Sequence, residues 1–122
     1  MISLFFDTYA FYEIIVGNPN YIEFTKDIRI LTTQLNLMEL YDQLINLVSK
    51  QKALEFFKRY EELVVPITNQ IIIEAMDFRK SNYKKNLSYV DCIGYILSKK
   101  MGVLFLTGDK EFEFMDNVKF VK

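Results

Sequence analysis

Short apolar runs alternate with longer stretches of helical spacing along this chain. Ile2-Ser3-Leu4-Phe5-Phe6 and residues 103–107 are apolar almost throughout, the pattern of strands buried on both faces of a parallel sheet. Thr8 to Val16 reads as a helix stopped by Gly17, with Asn18-Pro19 as the break and a second short helix from Pro19 to Lys26. Ile28 to Leu31 is a second strand. Thr32 or Thr33 caps a helix running to about Ser49, its apolar stripe made by Leu35, Met38, Tyr41, Leu44, Ile45 and Val48. Gln51 to Glu62 is another amphipathic helix. Leu63-Val64-Val65-Pro66-Ile67 predicts an edge strand, because Pro66 has no N–H for a ladder. Asn69 to Ser81 predicts a helix, followed by a polar, basic loop to Asn86. Ser88 caps a helix through Met101, which Gly102 ends, and Phe120-Val121 close a last short strand. Strands alternating with helices give an α/β fold of three layers. A mainly parallel sheet of about five strands is covered by helices on both faces.

Composition narrows this picture. The 122 residues make one domain, 1–122, and with 51% hydrophobic residues they build a sizeable core. No apolar run reaches the ~18 residues of a membrane span, and the N-terminus runs straight into a strand without a basic leader. The single cysteine, Cys92, excludes an intrachain disulfide and reads as a small buried side chain. A cytoplasmic protein is the expectation. The absence of histidine excludes imidazole-based zinc sites and histidine acid–base chemistry.

Four acids stand where such a fold builds a site. Asp7 and Asp109 follow the first and the 103–107 strands, and Glu39 and Asp91 lie near helix starts. Ligands bind at the carboxyl edge of open parallel sheets. Carboxylates converging there repel one another unless a hard divalent cation neutralises them. Each acid also has a local reading. Asp7 could cap its helix, and Ser88-x-x-Asp91 has capping-box spacing. Asp109 in Thr107-Gly108-Asp109 could be a turn residue. Glu39 shares a polar stripe with Asn36, Gln43 and Asn46, and Asp42 is the substitute one turn on. Haloacid-dehalogenase phosphatases place a second aspartate two positions after the first, where this chain has Tyr9. Receiver domains pair acids after the first strand, where this chain has Phe6 before Asp7.

The segments Phe6-Asp7-Thr8-Tyr9-Ala10, Leu37-Met38-Glu39-Leu40, Leu87-Ser88-Tyr89-Val90-Asp91-Cys92 and Phe105-Leu106-Thr107-Gly108-Asp109-Lys110-Glu111-Phe112 resemble the four acidic motifs of PIN-domain nucleases. The likeness covers essentially the whole chain and is strongest to VapC-type toxin ribonucleases. It implies a compact α/β/α fold and Mg²⁺- or Mn²⁺-dependent cleavage of RNA, with Asp7, Glu39, Asp91 and Asp109 as metal ligands and Thr8 and Thr107 as supporting hydroxyls. It also implies a homodimer and an antitoxin partner whose tail lies near the acids. A housekeeping PIN nuclease and a non-catalytic PIN-like binding domain are the alternatives. Oxygen ligands suit Mg²⁺, and a metal-activated water needs no histidine base.

Net charge is −1, yet six basic residues lie between Arg79 and Lys100 against one acid, Asp91. Arg79, Lys80, Tyr83, Lys84 and Lys85 interleave an aromatic with bases and are candidates to lead single-stranded RNA to the site. A solvated helix end is the competing explanation. The Tyr9, Phe11, Tyr12 stripe is assigned to the core or a dimer contact rather than to a base platform. Phe11, Tyr12, Phe56, Phe57 and Tyr60 together are expected to leave apolar surface exposed for partners.

Overall fold

The computed structural model of the chain describes residues 1–122. Four parallel strands form one sheet in the order β2-β1-β3-β4, with β1 at Ile2–Phe6, β2 at Ile28–Leu31, β3 at Leu104–Thr107 and β4 at Val118–Phe120. Leu4 pairs with Ile30 on one side and Leu104 on the other, so β1 is central. Helices α1 (Thr8–Ile15), α2 (Gln34–Leu47), α3 (Lys50–Tyr60), α4 (Asn69–Ser81) and α5 (Tyr89–Met101) cover it.

The sheet's two faces follow from the alternation of side chains along β1. Leu4 and Phe6 turn to one core with Ala10 and Phe11 of α1, Leu37, Leu40 and Leu44 of α2, and Ala53 of α3. Phe5 turns to the other with Phe105 of β3, Ile71 of α4, and Cys92 and Ile93 of α5. The result is the expected α/β/α sandwich. No helix is long and apolar enough to cross a membrane.

Helix α5 sits unusually close to the sheet. A Cβ on its Gly94 would stand 2.9 Å from the Phe5 ring and 3.2 Å from the Phe105 ring, inside ordinary contact. The absence of a side chain there sets how closely the helix bearing Asp91 approaches the strands.

Two expectations need correction. The segment 63–67 is not a fifth strand: it makes one parallel bridge, Val64 to Thr32, through Thr32 N–H to the Leu63 carbonyl at 3.2 Å and Val65 N–H to the Thr32 carbonyl at 2.9 Å. Glu61–Leu63 is wound into a 3₁₀ turn and Pro66 offers no donor, so the ladder has nothing to extend with. The sheet therefore has four strands. The aromatics expected on the surface are largely inside. Phe11 is buried, its ring 4.7 Å from that of Tyr60, and Tyr12, Phe56, Phe57 and Tyr60 are half-buried against the same core. The exposed apolar side chains are instead Met38, Leu54, Ile72, Ile73 and Phe114, among others.

Candidate active site

Parallel strands deliver their carboxyl ends to one edge, and β1 and β3 are neighbours there. The chain leaves β1 toward β2 on one side while β3 lies on the other, which opens a crevice between the two strand ends. Asp7 and Asp109 stand on its floor and wall. Glu39 from the second turn of α2 and Asp91 from the first turn of α5 complete the surround, and all four acids line one cleft of about 400 Å³. Asp42 is exposed and lies outside it.

Three of the acids are held by a local bond that engages one carboxylate oxygen. Asp7 is the N-cap of α1 and accepts from Ala10 N–H at 2.8 Å. Asp91 and Ser88 form a reciprocal capping box, each bond 3.0 Å. Asp109 caps the 3₁₀ turn Lys110–Phe112, accepting from Glu111 N–H at 3.0 Å. The capping reading of these residues is thus correct, and it does not use up the carboxylate, which has a second oxygen to offer.

Glu39 is positioned differently. The Thr8 hydroxyl donates to Glu39 Oε1 at 2.7 Å, Asn36 Nδ2 donates to Thr8 Oγ1 at 3.3 Å, and the Thr33 hydroxyl donates to Asn36 Oδ1 at 2.6 Å. This relay fixes the glutamate from the N-cap of its own helix. Asn36 is buried; its sequence position on a polar stripe gave no sign of that. The signal available was Thr33-x-x-Asn36, a cap followed by an amide at the spacing of a reciprocal bond. Thr107 is buried beside two acids: its hydroxyl accepts from Asp109 N–H at 3.1 Å, and its nearness lowers the Asp7 pKa.

Burial and mutual repulsion make this a strained set of charges. Burial above all, then the neighbouring Asp91 and Asp109, push Asp7 from 3.8 to about 8, against the lowering effect of Thr107 and of the bond from Ala10. Asp91 is raised by burial and by Asp109, although its bonds from Ser88 oppose this. Glu39 is raised by burial and by Asp91, with the Thr8 bond opposing. No lysine or arginine answers the four: the salt bridges join Lys99 to Asp116 and Lys100 to Glu74. Gly108 keeps the floor compact, because a Cβ there would strike the Tyr9 ring and the Val121 carbonyl.

The donor set suits a hard divalent cation: carboxylate oxygens flanked by hydroxyls, with no imidazole or thiolate at the rim. The side chains ring the cleft rather than meet, and no three of them converge at ligand spacing.

Other residues expected to act at the site take several places. The loop after α4 borders the cleft through Ser88 and through Glu111, two residues from Asp109. Lys85 Nζ donates to the Glu111 carbonyl at 3.2 Å, and Asn86 N–H donates to the Glu111 carboxylate at 2.5 Å. Arg79 is half-buried, donating from Nε to the Leu87 carbonyl at 3.0 Å with its guanidinium over the Tyr89 ring. Lys80, Tyr83 and Lys84 stay on the surface, and Tyr83 is 75% exposed. The aromatic stripe divides: Phe11 enters the core, whereas Tyr9 and Tyr12 line the cleft, joined by Glu13, Gln43 and Ser88.

Comparison with known proteins agrees with this geometry. The sequence pattern of the PIN domain family matches residues 4–118. No curated protein matches the chain. Among solved structures, the Mycobacterium tuberculosis toxin VapC20, described as sarcin–ricin loop cleaving, superposes with a TM-score of 0.80 at 17% identity, over 98% of this chain and 99% of that one. A toxin–antitoxin complex from Klebsiella pneumoniae gives 0.75 at 16% identity over 95% of each chain. VapBC-1 from nontypeable Haemophilus influenzae gives 0.72 at 13% identity, over 98% of this chain and 96% of that one. At these identities the likeness is one of fold.

Proposed function

The chain belongs to the PIN domain family, and from that premise we propose that it is a divalent-metal-dependent endoribonuclease, the toxin of a toxin–antitoxin pair. The observation that carries the reading is four uncompensated carboxylates around one cleft at the carboxyl edge of the sheet. Asp7, Glu39, Asp91 and Asp109 would hold the cation, Mg²⁺ or Mn²⁺, with their unengaged oxygens. Bound there, it supplies an activated water and offsets charge on the scissile phosphate.

The remaining work falls to the chain's own groups. Thr8, held by Asn36, keeps Glu39 turned into the cleft. Thr107 stands beside Asp7 and holds the turn carrying Asp109 through its hydroxyl. The capping bonds fix Asp7 and Asp91 by backbone N–H donors, which do not compete for protons. Arg79, Lys80, Tyr83, Lys84 and Lys85 guide the RNA backbone past Ser88, with Lys80 and Lys84 meeting phosphates and Tyr83 offering a stacking face.

The toxin assignment draws on the structural neighbours, several of which are toxins or toxin–antitoxin complexes. An antitoxin needs apolar surface to hold. Met38, Leu54, Leu35, Tyr41 and Phe57 line an apolar groove of about 480 Å³ between α2 and α3, on the helix that also carries Glu39. A partner seated there can place a basic side chain on the carboxylates and displace the cation. The same reading includes a homodimer. The cytoplasm is the compartment this reading assigns.

Two experiments test it. Cleavage of single-stranded RNA by the purified chain should require Mn²⁺ or Mg²⁺ and vanish with chelator. Expression alone should arrest growth, and co-expression of a neighbouring gene product should relieve it. Cleavage without toxicity or partner would return the chain to the housekeeping reading.

A further inference from the structure

The acid cleft does not end at its acids. Tyr12 and Gln43 line it and also line a second, shallow groove with Asn46 and Leu47, so the two depressions are continuous. On α2 the residues Glu39, Gln43 and Asn46 fall at i, i+4 and i+7, one stripe of the helix surface. The stripe leaves the acid site and runs outward for about 10 Å of helix. Tyr12 of α1 faces it.

The chemistry of this groove differs from that of the basic loop on the other side of the acids. It holds no lysine or arginine, so it offers nothing to a phosphate. It holds two carboxamides, each both donor and acceptor, beside a half-buried phenol ring and the exposed Leu47. Carboxamides match the paired donor and acceptor edge of a base, and an aromatic ring matches its face. Glu13, also at the rim, adds an acceptor that repels phosphate and suits an exocyclic amine.

We propose that the Tyr12–Gln43–Asn46 groove is a nucleobase subsite, which reads one unpaired base of the RNA next to the phosphate held at the acids. The substrate strand then crosses the site with its backbone on the Lys80–Lys84 side and one base turned into the α1–α2 groove. Gln43 and Asn46 set which base is accepted, and Tyr12 stacks on it. The inference takes its substrate class from the nuclease reading above.

Binding without cleavage tests it. The full chain is titrated with Ca²⁺ in place of Mn²⁺, to hold the phosphate without cleavage, against fluorescein-labelled eight-nucleotide RNAs, each a homopolymer of one base, and anisotropy gives the affinities. One base should bind more tightly than the others by at least about fivefold. Gln43→Ala with Asn46→Ala should level the four affinities. Both side chains are exposed, so the fold should survive. Tyr12→Leu should weaken all four by about tenfold while Tyr12→Phe keeps them. Equal affinities in the unaltered protein, a preference that survives the double alanine change, or no RNA binding overturns the subsite. Cleavage with Mn²⁺ is scored separately: a chain that cleaves but fails these binding criteria keeps its function and loses this groove, and one that meets them without cleaving loses the nuclease assignment.

Discussion

Replacing Asp7 by asparagine should stabilise the metal-free protein. Asp7 is buried at the end of β1, and its carboxyl titrates at about 8 in the fold against 3.8 for an unburied group. Its folded pKa is raised, so the folded state holds the proton more tightly than the unfolded chain. The stabilising contribution is complete below about pH 4 and is lost as pH rises from there to 8. At pH 7 about three pH units of that interval have been crossed. At 1.36 kcal/mol each this is an upper figure of about 4 kcal/mol, and side-chain rotation with water entry brings it to about 2 kcal/mol. Asparagine is neutral throughout and keeps the Oδ1 that accepts from Ala10 N–H. For a domain of this size about 2 kcal/mol corresponds to roughly 6–10 °C in Tm. Thermal melting in EDTA between pH 4 and 8 measures it: the two proteins should melt together at pH 4, and the asparagine variant should lead increasingly toward pH 8. Millimolar Mn²⁺ should raise Tm for the unaltered chain and leave the variant where it was. A variant that melts at or below the unaltered protein at pH 8, or a gap that does not change with pH, would refute the electrostatic account of the cleft.

Three further perturbations probe the parts around it. Gly94→Ala should cost about 1–3 kcal/mol, because the new methyl presses on the Phe5 and Phe105 rings, and denaturant unfolding should show a lower midpoint; an unchanged midpoint would mean α5 can lift freely. Thr8→Val keeps the shape and removes the donor to Glu39, so it should weaken Mn²⁺ binding by about tenfold in calorimetry; undiminished affinity would remove the hydroxyl from the site. Lys80→Ala with Lys84→Ala should lower RNA affinity and reduce the slope of log K against log salt by about 1.4 for single strands. An unaltered slope would leave those lysines as plain solvated surface.

The parallel α/β/α order could be read from apolar runs and caps because both depend on neighbouring residues. Thr33, Ser88 and Gly102 act where their local chemistry places them. The segment 63–67 shows the limit of that reasoning. Its β-branched residues are fit for a strand, but whether a ladder forms depends on the donors of β2, on Pro66 and on the 3₁₀ turn before it. Asp7, Asp91 and Asp109 were legible because the strand ends and helix starts that carry them are legible. Asn36 was not, since its burial arises from Thr8, 28 residues earlier in the chain. The aromatics failed for a related reason: amphipathic spacing places Phe11 and Tyr12 on neighbouring faces, and only the packing of α1 on α2 and α3 decides that Phe11 meets Tyr60 while Tyr12 meets the cleft.

The most direct test of the central claim is RNA cleavage by the unaltered chain and by Asp91→Asn, purified identically and assayed with Mn²⁺ and with EDTA. Asp91 is the informative acid, because asparagine keeps the cap on Ser88 N–H and removes only the charge. The account predicts cleavage by the unaltered chain with Mn²⁺, none with EDTA, and a loss of at least about a hundredfold in the variant, with both proteins folded by circular dichroism. Cleavage that persists in EDTA, or an Asp91→Asn protein as active as the original, would contradict it.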